Sequence, residues 1–360
     1  MKITKLLLQL FLVSIVLTSC SSDDKIVEVI RDKYDNGVIV SAEGVFNNKD
    51  GSISYINKEL TESQNFIYAG KNGALLGGLI QSITFSDTEA YVILNDVNTI
   101  VVVDRYTFEK KAQITTKLKN PRYMTISNGK GYVTNWGDGA NENDDYLAII
   151  DIETNTIEEN TISLANGVEQ IISRNNKLYV SHKGAWSSNN IISVVDLNNN
   201  NTISTITVDD NPDEMAFDNA GNLVVLSEGK PVYNSSWEVI DRTTSSISFI
   251  NLSNNEVLKS IDFPAKENAS FMAYESGKVY YYKGKDNKVY SINEEATTIA
   301  TEGIEVGGIY GMNVKDNNLY TVSYEFPNSE LSNLTVYDLN TEAKVYETKV
   351  GIGASKIYFN

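Results

Sequence analysis

Short apolar runs closed by one polar residue recur along the whole chain. SISYIN ends at Asn57, IVVVD at Asp104, LAIID at Asp151, ISVVD at Asp196, ISFIN at Asn251, VYSIN at Asn293 and LTVYD at Asp338. A second set of runs keeps step with the first: GVIVSAEG from Gly37, AYVILND from Ala90, GYVTNWG from Gly131, LYVSHKG from Leu178, LVVLSEG from Leu223, VYYYKGK from Val279 and LYTVSYE from Leu319. We term the second set strand B and the first strand C. A third apolar run precedes most B strands, among them LIQSITF at Leu79, PRYMTIS at Pro121, GVEQIIS at Gly167 and NPDEMAF at Asn211, and serves as strand A. Strand D follows each C turn, as in ISTITV near Ile206. No segment after residue 30 holds a 3.6-residue apolar period for three turns, whereas β-branched runs recur everywhere. A repeat of about 45 residues is the length of one four-stranded blade. The pattern therefore predicts an all-β fold: a seven-bladed β-propeller with four antiparallel strands per blade.

The first blade has no A strand of its own. The final GASKIYFN, Gly353–Asn360, has an A pattern with no B after it. The C-terminal strand is therefore expected to complete blade one and close the ring, which removes an exposed sheet edge.

The first residues read as an address. Lys2 and Lys5 precede the short apolar stretch LLLQLFLVSIVL, which ends in Leu17-Thr18-Ser19-Cys20. That ending resembles the lipobox of bacterial lipoproteins, in which the cysteine thiolate accepts a diacylglycerol and its freed amine a further acyl chain. Cys20 is the only cysteine, so it is the expected lipidation site and no disulfide framework is possible. Ser21-Ser22-Asp23-Asp24 resembles the acidic signal that sends Bacteroidetes lipoproteins to the outer cell surface. The expected organisation is a signal peptide over 1–19, an acylated Cys20 and flexible tether over 20–35, and the propeller over 36–360. The expected location is the outer membrane, lipid-anchored and facing outward.

Charge narrows the partners. Loss of Lys2 and Lys5 with the leader takes the formal charge from −17 to −19, which repels phosphate backbones and argues against nucleic acid. With one histidine, only His182 could act as the base of a hydrolytic triad, and no nucleophile motif frames it. One histidine and one cysteine do not make a zinc site. No cofactor motif is present, and catalysis is not expected. The run Asp138–Asp145 is rich in oxygen ligands but lacks EF-hand spacing, so it reads as a solvated loop.

Strand alternation puts the B–C and D–A loops on one face of the ring and the A–B and C–D turns on the other. The acids of the C–D turns, Asp104, Asp151, Asp196 and Asp338, read as turn caps. The B–C loops are richer. All three tryptophans, Trp136, Trp186 and Trp237, fall in B–C loops of consecutive blades, with Tyr233 and Tyr146 nearby and His182 in the loop of Trp186. Blade one adds Glu43 and Phe46, and blade seven adds Tyr324 and Phe326. The starts of the A strands bring Arg122, Glu169, Gln170, Asp213, Glu214, Tyr310 and Lys356 to the same rim. Aromatic loops with a few polar groups are the usual form of a ligand site. The expected ligand contacts are Trp136, Trp186, Trp237, Tyr233, Asn135, His182, Arg122, Glu43, Tyr324 and Phe326. The plainer alternative is that the indoles fill gaps between blades.

GYVTN at 131–135 and LYVSH at 178–182 resemble the YVTN-type (YncE-like) β-propeller repeat. Together with Asn120-Pro121-Arg122-Tyr123, Tyr132-Val133-Thr134-Asn135-Trp136 and Asn211-Pro212-Asp213, they are similar to surface lipoproteins of Bacteroidetes, the BtuG-like cobalamin-capture type. Where that group opens on Asn-Glu-Gly, this chain has Ala42-Glu43-Gly44. The resemblance implies capture of a nutrient, with a corrinoid such as cobalamin first, and delivery to a TonB-dependent outer-membrane transporter. Siderophore or haem capture, or an adhesive propeller that docks protein without a small ligand, are the alternatives.

Overall fold

The computed structural model describes residues 33–45, 47–184, 187–323 and 330–360. Seven antiparallel sheets stand around a common axis, each ordered A, B, C, D from the inside outward. The inner strands are Ala354–Phe359 in blade 1, then Ile80–Phe85, Pro121–Ser127, Val168–Arg174, Pro212–Phe217, Ser270–Glu275 and Gly311–Lys315 in blades 2 to 7. Neighbouring inner strands are linked around the axis. Ser82 Oγ donates to Arg122 O at 2.7 Å, Thr84 Oγ1 to Met124 O at 2.8 Å and Asn313 Nδ2 to Ile357 O at 2.9 Å.

The middle strands explain the apolar runs. Each blade is sandwiched between two others, so both faces of B and C are covered. Val38–Ala42 and Leu223–Ser227 are buried at every position, whereas the outer strand Thr202–Thr207 is almost wholly exposed. Strands covered on both sides read as continuous Val/Ile runs and not as alternation. Among the described residues the buried apolar side chains form seven clusters, one in each seam between blades. In Glu89–Leu94, for example, Ala90, Val92 and Leu94 face blade 1 while Tyr91 and Ile93 face blade 3.

The ring closes as expected. Val38–Ala42 pairs with Ser52–Ile56 on one side and with Ala354–Phe359 on the other, with Val40 opposite Ile357. The two ends of the described fold meet on the face of the C–D turns, where Asn360 Nδ2 donates to Tyr34 O at 2.7 Å. Tyr34, assigned to the tether by the sequence, is buried and packs edge-on against Tyr55 and Phe108, so the folded part reaches at least to this residue. The turn acids cap backbone as expected. Asp104 Oδ1 accepts from Tyr106 N and Thr107 N, and Asp151 and Asp338 repeat that arrangement.

Three local features have no counterpart in the repeat pattern. A short helix, Ile67–Asn72, buries Ile67 and Tyr68 in the first seam. The outer strand of blade 3 is split into Thr156–Ile157 and Ile162–Ser163. The long B–C loop of blade 5 carries its own hairpin, Pro231–Tyr233 paired with Val239–Arg242.

Deleting Lys356–Asn360 removes most of the inner strand of blade 1 and should lower the melting temperature sharply. The milder Ile357→Ala should cost about 2–4 kcal/mol in urea denaturation, since Ile357 is buried in the closing seam. An unchanged melt in both would show that the closing strand contributes little.

Candidate functional site

One structural device recurs where the inner strands begin. In six of the seven sheets the inner strand carries one extra residue relative to its B partner, between Ile80 and Ser82, Pro121 and Met124, Val168 and Ile171, Pro212 and Met215, Ser270 and Met272, and opposite Ser41/Ala42 in blade 1. Such a bulge bends the strand and re-aims its side chains. Here it delivers Gln81, Arg122, Glu169, Asp213 and their neighbours to the channel mouth on the face of the B–C loops.

The YVTN-like residues hold these bulges. Thr134 Oγ1 accepts from Tyr123 N at 3.0 Å and lies 2.8 Å from Glu169 O, and Ser181 Oγ accepts from Gln170 N at 3.1 Å. Each hydroxyl satisfies an N–H that the bulge takes out of the ladder. The next residue latches the preceding D–A loop. Asn135 Oδ1 accepts from Lys119 N at 3.0 Å, and His182 Nδ1 lies 2.9 Å from Asn166 O. At blade 4 the two loops touch, because Gly184 N donates to Gly167 O at 3.1 Å. A Cβ on Gly167 would come within 2.3 Å of Gly184 Cα.

The mouth is a cavity of about 360 Å³ lined from all seven blades, by Glu43, Gln81, Asn95, Arg122, Tyr123, Glu169, Lys183, Asp213, Glu214, Glu228, Phe271, Tyr310 and Lys356 among others. Two of its cations are held tightly. The Arg122 guanidinium contacts Glu169 at 2.7 Å through Nη2 and donates to Gln81 Oε1 at 2.6 Å through Nη1. It lies 3.8 Å from the ring centre of Trp136, whose Nε1 donates to Val168 O at 2.6 Å. Lys183 bridges Asp213 at 2.7 Å and Glu228 at 2.9 Å. Lys356 stands 3.7 Å from Glu214 and 5.5 Å above the Tyr123 ring. Gln170 donates to the same Glu214, and Tyr310 to Glu43 at 3.3 Å.

Burial sets the protonation of this ring. It pushes Glu43 and Glu214 up, and Glu228 up to about 7, where the nearby Asp213 charge adds to burial. Burial opposes the charge of Lys183 and Arg122, but their carboxylate partners outweigh it and hold both above their ordinary values. Asp213 is likewise held below the ordinary carboxylate range, Lys183 overcoming the cost of burial.

The structure sorts the sequence-predicted contacts. Glu43 and Arg122 lie at the mouth. Trp136 is the platform under Arg122 and packs on the core of the seam between blades 3 and 4, so for this indole the gap-filling alternative applies. Asn135 and His182 are fully buried latches with their polar atoms engaged within the blades, His182 Nε2 lying 2.8 Å from Ser193 Oγ, and neither reaches the mouth. Tyr233 and Trp237 sit on the blade 5 hairpin, their ring centres 6.0 Å apart, with Trp237 83% exposed. Trp186, Tyr324, Phe326, Phe46 and Cys20 lie outside the described residues. In the run 138–145, Asp145 turns inward to accept from Gly167 N and Val168 N, and burial raises it to about 6. No group of three or more metal-ligating side chains occurs among the described residues. Lys183, Glu228 and Asn95 were missed in the sequence. They occupy the repeat position of Glu43, directly after strand B, and that shared column was the available signal.

The family described as "Domain of unknown function (DUF5074)" matches residues 36–240, and the chain belongs to it. No curated protein matches the sequence. Similar solved structures include a protein from Lactobacillus plantarum, with TM-score 0.63 and 11% identity over 90% of this chain and 99% of that one. AztD from Citrobacter koseri in its apo form gives 0.54 and 14% over 89% and 96%. Dihydro-heme d1 dehydrogenase NirN gives 0.59 and 16% over 91% and 76%. At these identities the likeness is one of fold.

Two substitutions test the construction. Thr134→Val leaves Tyr123 N without its acceptor and should cost about 1–3 kcal/mol. Burial lowers the His182 pKa to about 4 from 6.5. Below about 6.5 the unfolded chain takes up a proton that the native ring resists until about 4. Stability should therefore fall as pH drops through that window, by on the order of 2–3 kcal/mol. In His182→Gln that part of the pH dependence should vanish, and urea titrations at several pH values give the readout.

Proposed function

We propose that this DUF5074 propeller is a ligand-capture protein of the outer cell surface, anchored through Cys20, that takes up a nutrient at the channel mouth and passes it to a TonB-dependent transporter. The observation that carries the reading is the mouth itself: a concave site of about 360 Å³ built from every blade, beside a hairpin that presents an exposed indole. The mouth offers donors such as Arg122 and Lys183 and acceptors such as Asn95 and Asp213 to a ligand bearing amides, and the Tyr233–Trp237 pair suits its apolar part. A corrinoid combines both features, and the BtuG-like resemblance implies the same cargo. A binding role in place of catalysis is supported by His182, walled into blade 4 with both ring nitrogens occupied.

The hairpin also favours a second reading, docking of a protein without a small ligand. Val232, Tyr233, Trp237, Val239 and Ile240 are all exposed on it. Calorimetric titration of the purified chain with cobalamin and cobinamide separates the two. Under the capture reading both bind, and Trp237→Ala weakens binding about tenfold or more at an unchanged melting temperature. Absence of heat with either corrinoid at micromolar protein removes the corrinoid cargo.

A further inference from the structure

The mouth opens into a second cavity. A chamber of about 250 Å³ continues down the axis and shares Tyr123, Glu214, Phe271, Ser355 and Lys356 with the mouth. Its wall mixes apolar Ile172, Phe271 and Met312 with polar Ser82, Thr84 and Asn313. The chamber is therefore less polar than the mouth, and Glu214 and Lys356 line both.

Acidic side chains outnumber basic ones in the upper part. Glu43, Glu169, Asp213, Glu214 and Glu228 line it, against Arg122, Lys183 and Lys356. Arg122 is committed to Glu169, and Lys183 to Asp213 and Glu228. Glu214 takes a hydrogen bond from Gln170, but Lys356, its ion-pair partner, stands 3.7 Å away, beyond hydrogen-bond length. Asp213 is 8% exposed, and its Oδ1 accepts no hydrogen bond. Carboxylates taken out of water need positive charge and donors to offset desolvation. Here five carboxyl groups face three cations, and Asp213 Oδ1 has no donor.

We propose that the axial channel binds a small primary amine, its ammonium held among the surplus carboxylates at the Glu214 joint and its short apolar chain lying in the chamber of Met312, Ile172 and Phe271. A protonated amine brings one positive charge, which narrows the excess of acidic side chains, and N–H donors for a carboxylate oxygen such as Asp213 Oδ1 that has none. An anion of the same shape is repelled, and a neutral alcohol gains only the apolar contact. This ligand is distinct from a corrinoid, whose wide macrocycle belongs on the outer face, so the inference goes beyond that reading.

The test is calorimetric titration of the purified chain with 2-phenylethylamine, 2-phenylethanol and phenylacetate. The amine should bind with Kd tighter than about 1 mM, and the alcohol and acid at least tenfold more weakly. Glu214→Gln should weaken the amine tenfold or more without changing the alcohol. Should Glu214→Gln fail to fold, Glu43→Gln, at the wider rim, is expected to produce a smaller loss in the same direction. Equal binding of the three compounds, no binding of the amine, or an amine affinity untouched in both variants would overturn the proposal. Cobalamin titrated into the same preparation reports on the corrinoid reading separately, so either can fail alone.

Discussion

The pairing of Val38–Ala42 with Ala354–Phe359 is the contact on which the remainder rests. Six seams form between blades that are consecutive in sequence. The seventh, between blades 7 and 1, holds Val40, Ile56, Val322, Leu334 and Ile357, and its blade 1 side is complete only when the chain's last strand docks. Closure also finishes the mouth. Glu43 follows one partner of the closing pair, and Ser355 and Lys356 lie in the other. Lys356 then reaches across to Glu214 of blade 5, so fold closure and the electrostatics of the channel share one strand.

Around that mouth the protein tolerates charges that a plain core would exclude. Arg122 shows how. Its guanidinium is gripped edge-on by Glu169 and Gln81 and backed by the flat face of Trp136, which uses the planar fork and the stacking surface together. Lys183 instead sits as a point charge between two carboxylates. The bulges make both arrangements possible, because a regular strand would turn every second residue away from the axis. The repeat thus couples a backbone irregularity, its hydroxyl cap and a charged side chain in one unit.

Much of this was legible in the sequence, and for identifiable reasons. The blade count followed from the spacing of the Asp/Asn-terminated strands, because most of these residues, Asn57, Asp104, Asp151, Asp196, Asn251 and Asp338, cap the turn that follows. Closure followed from an unpaired A pattern at Gly353–Asn360. The rim positions Arg122, Asp213 and Glu214 followed from strand direction alone. Side-chain fate was harder to read. Trp136 and Trp237 occupy loops of the same type, yet one is sandwiched under Arg122 and the other projects into solvent from a hairpin that no alternation announced. His182 was read as a loop residue and a ligand contact. Its place in the repeat, matching the Asn135 latch, was the better guide. Lys183 and Glu228 escaped notice because single charges after a strand are common, and only superposed repeats show that the column points inward.

The closing strand has a consequence for the order in which the molecule can be made. A ribosome releases Val38–Ala42 early and Ala354–Phe359 last. Until then the first blade keeps a bare inner edge, and the apolar faces of the final seam have no cover. Contacts spanning nearly the whole chain are slow to form, and an open edge in the meantime invites pairing with the wrong strand. The late arrival of six residues therefore sets how long the unfinished ring stays open to mispairing.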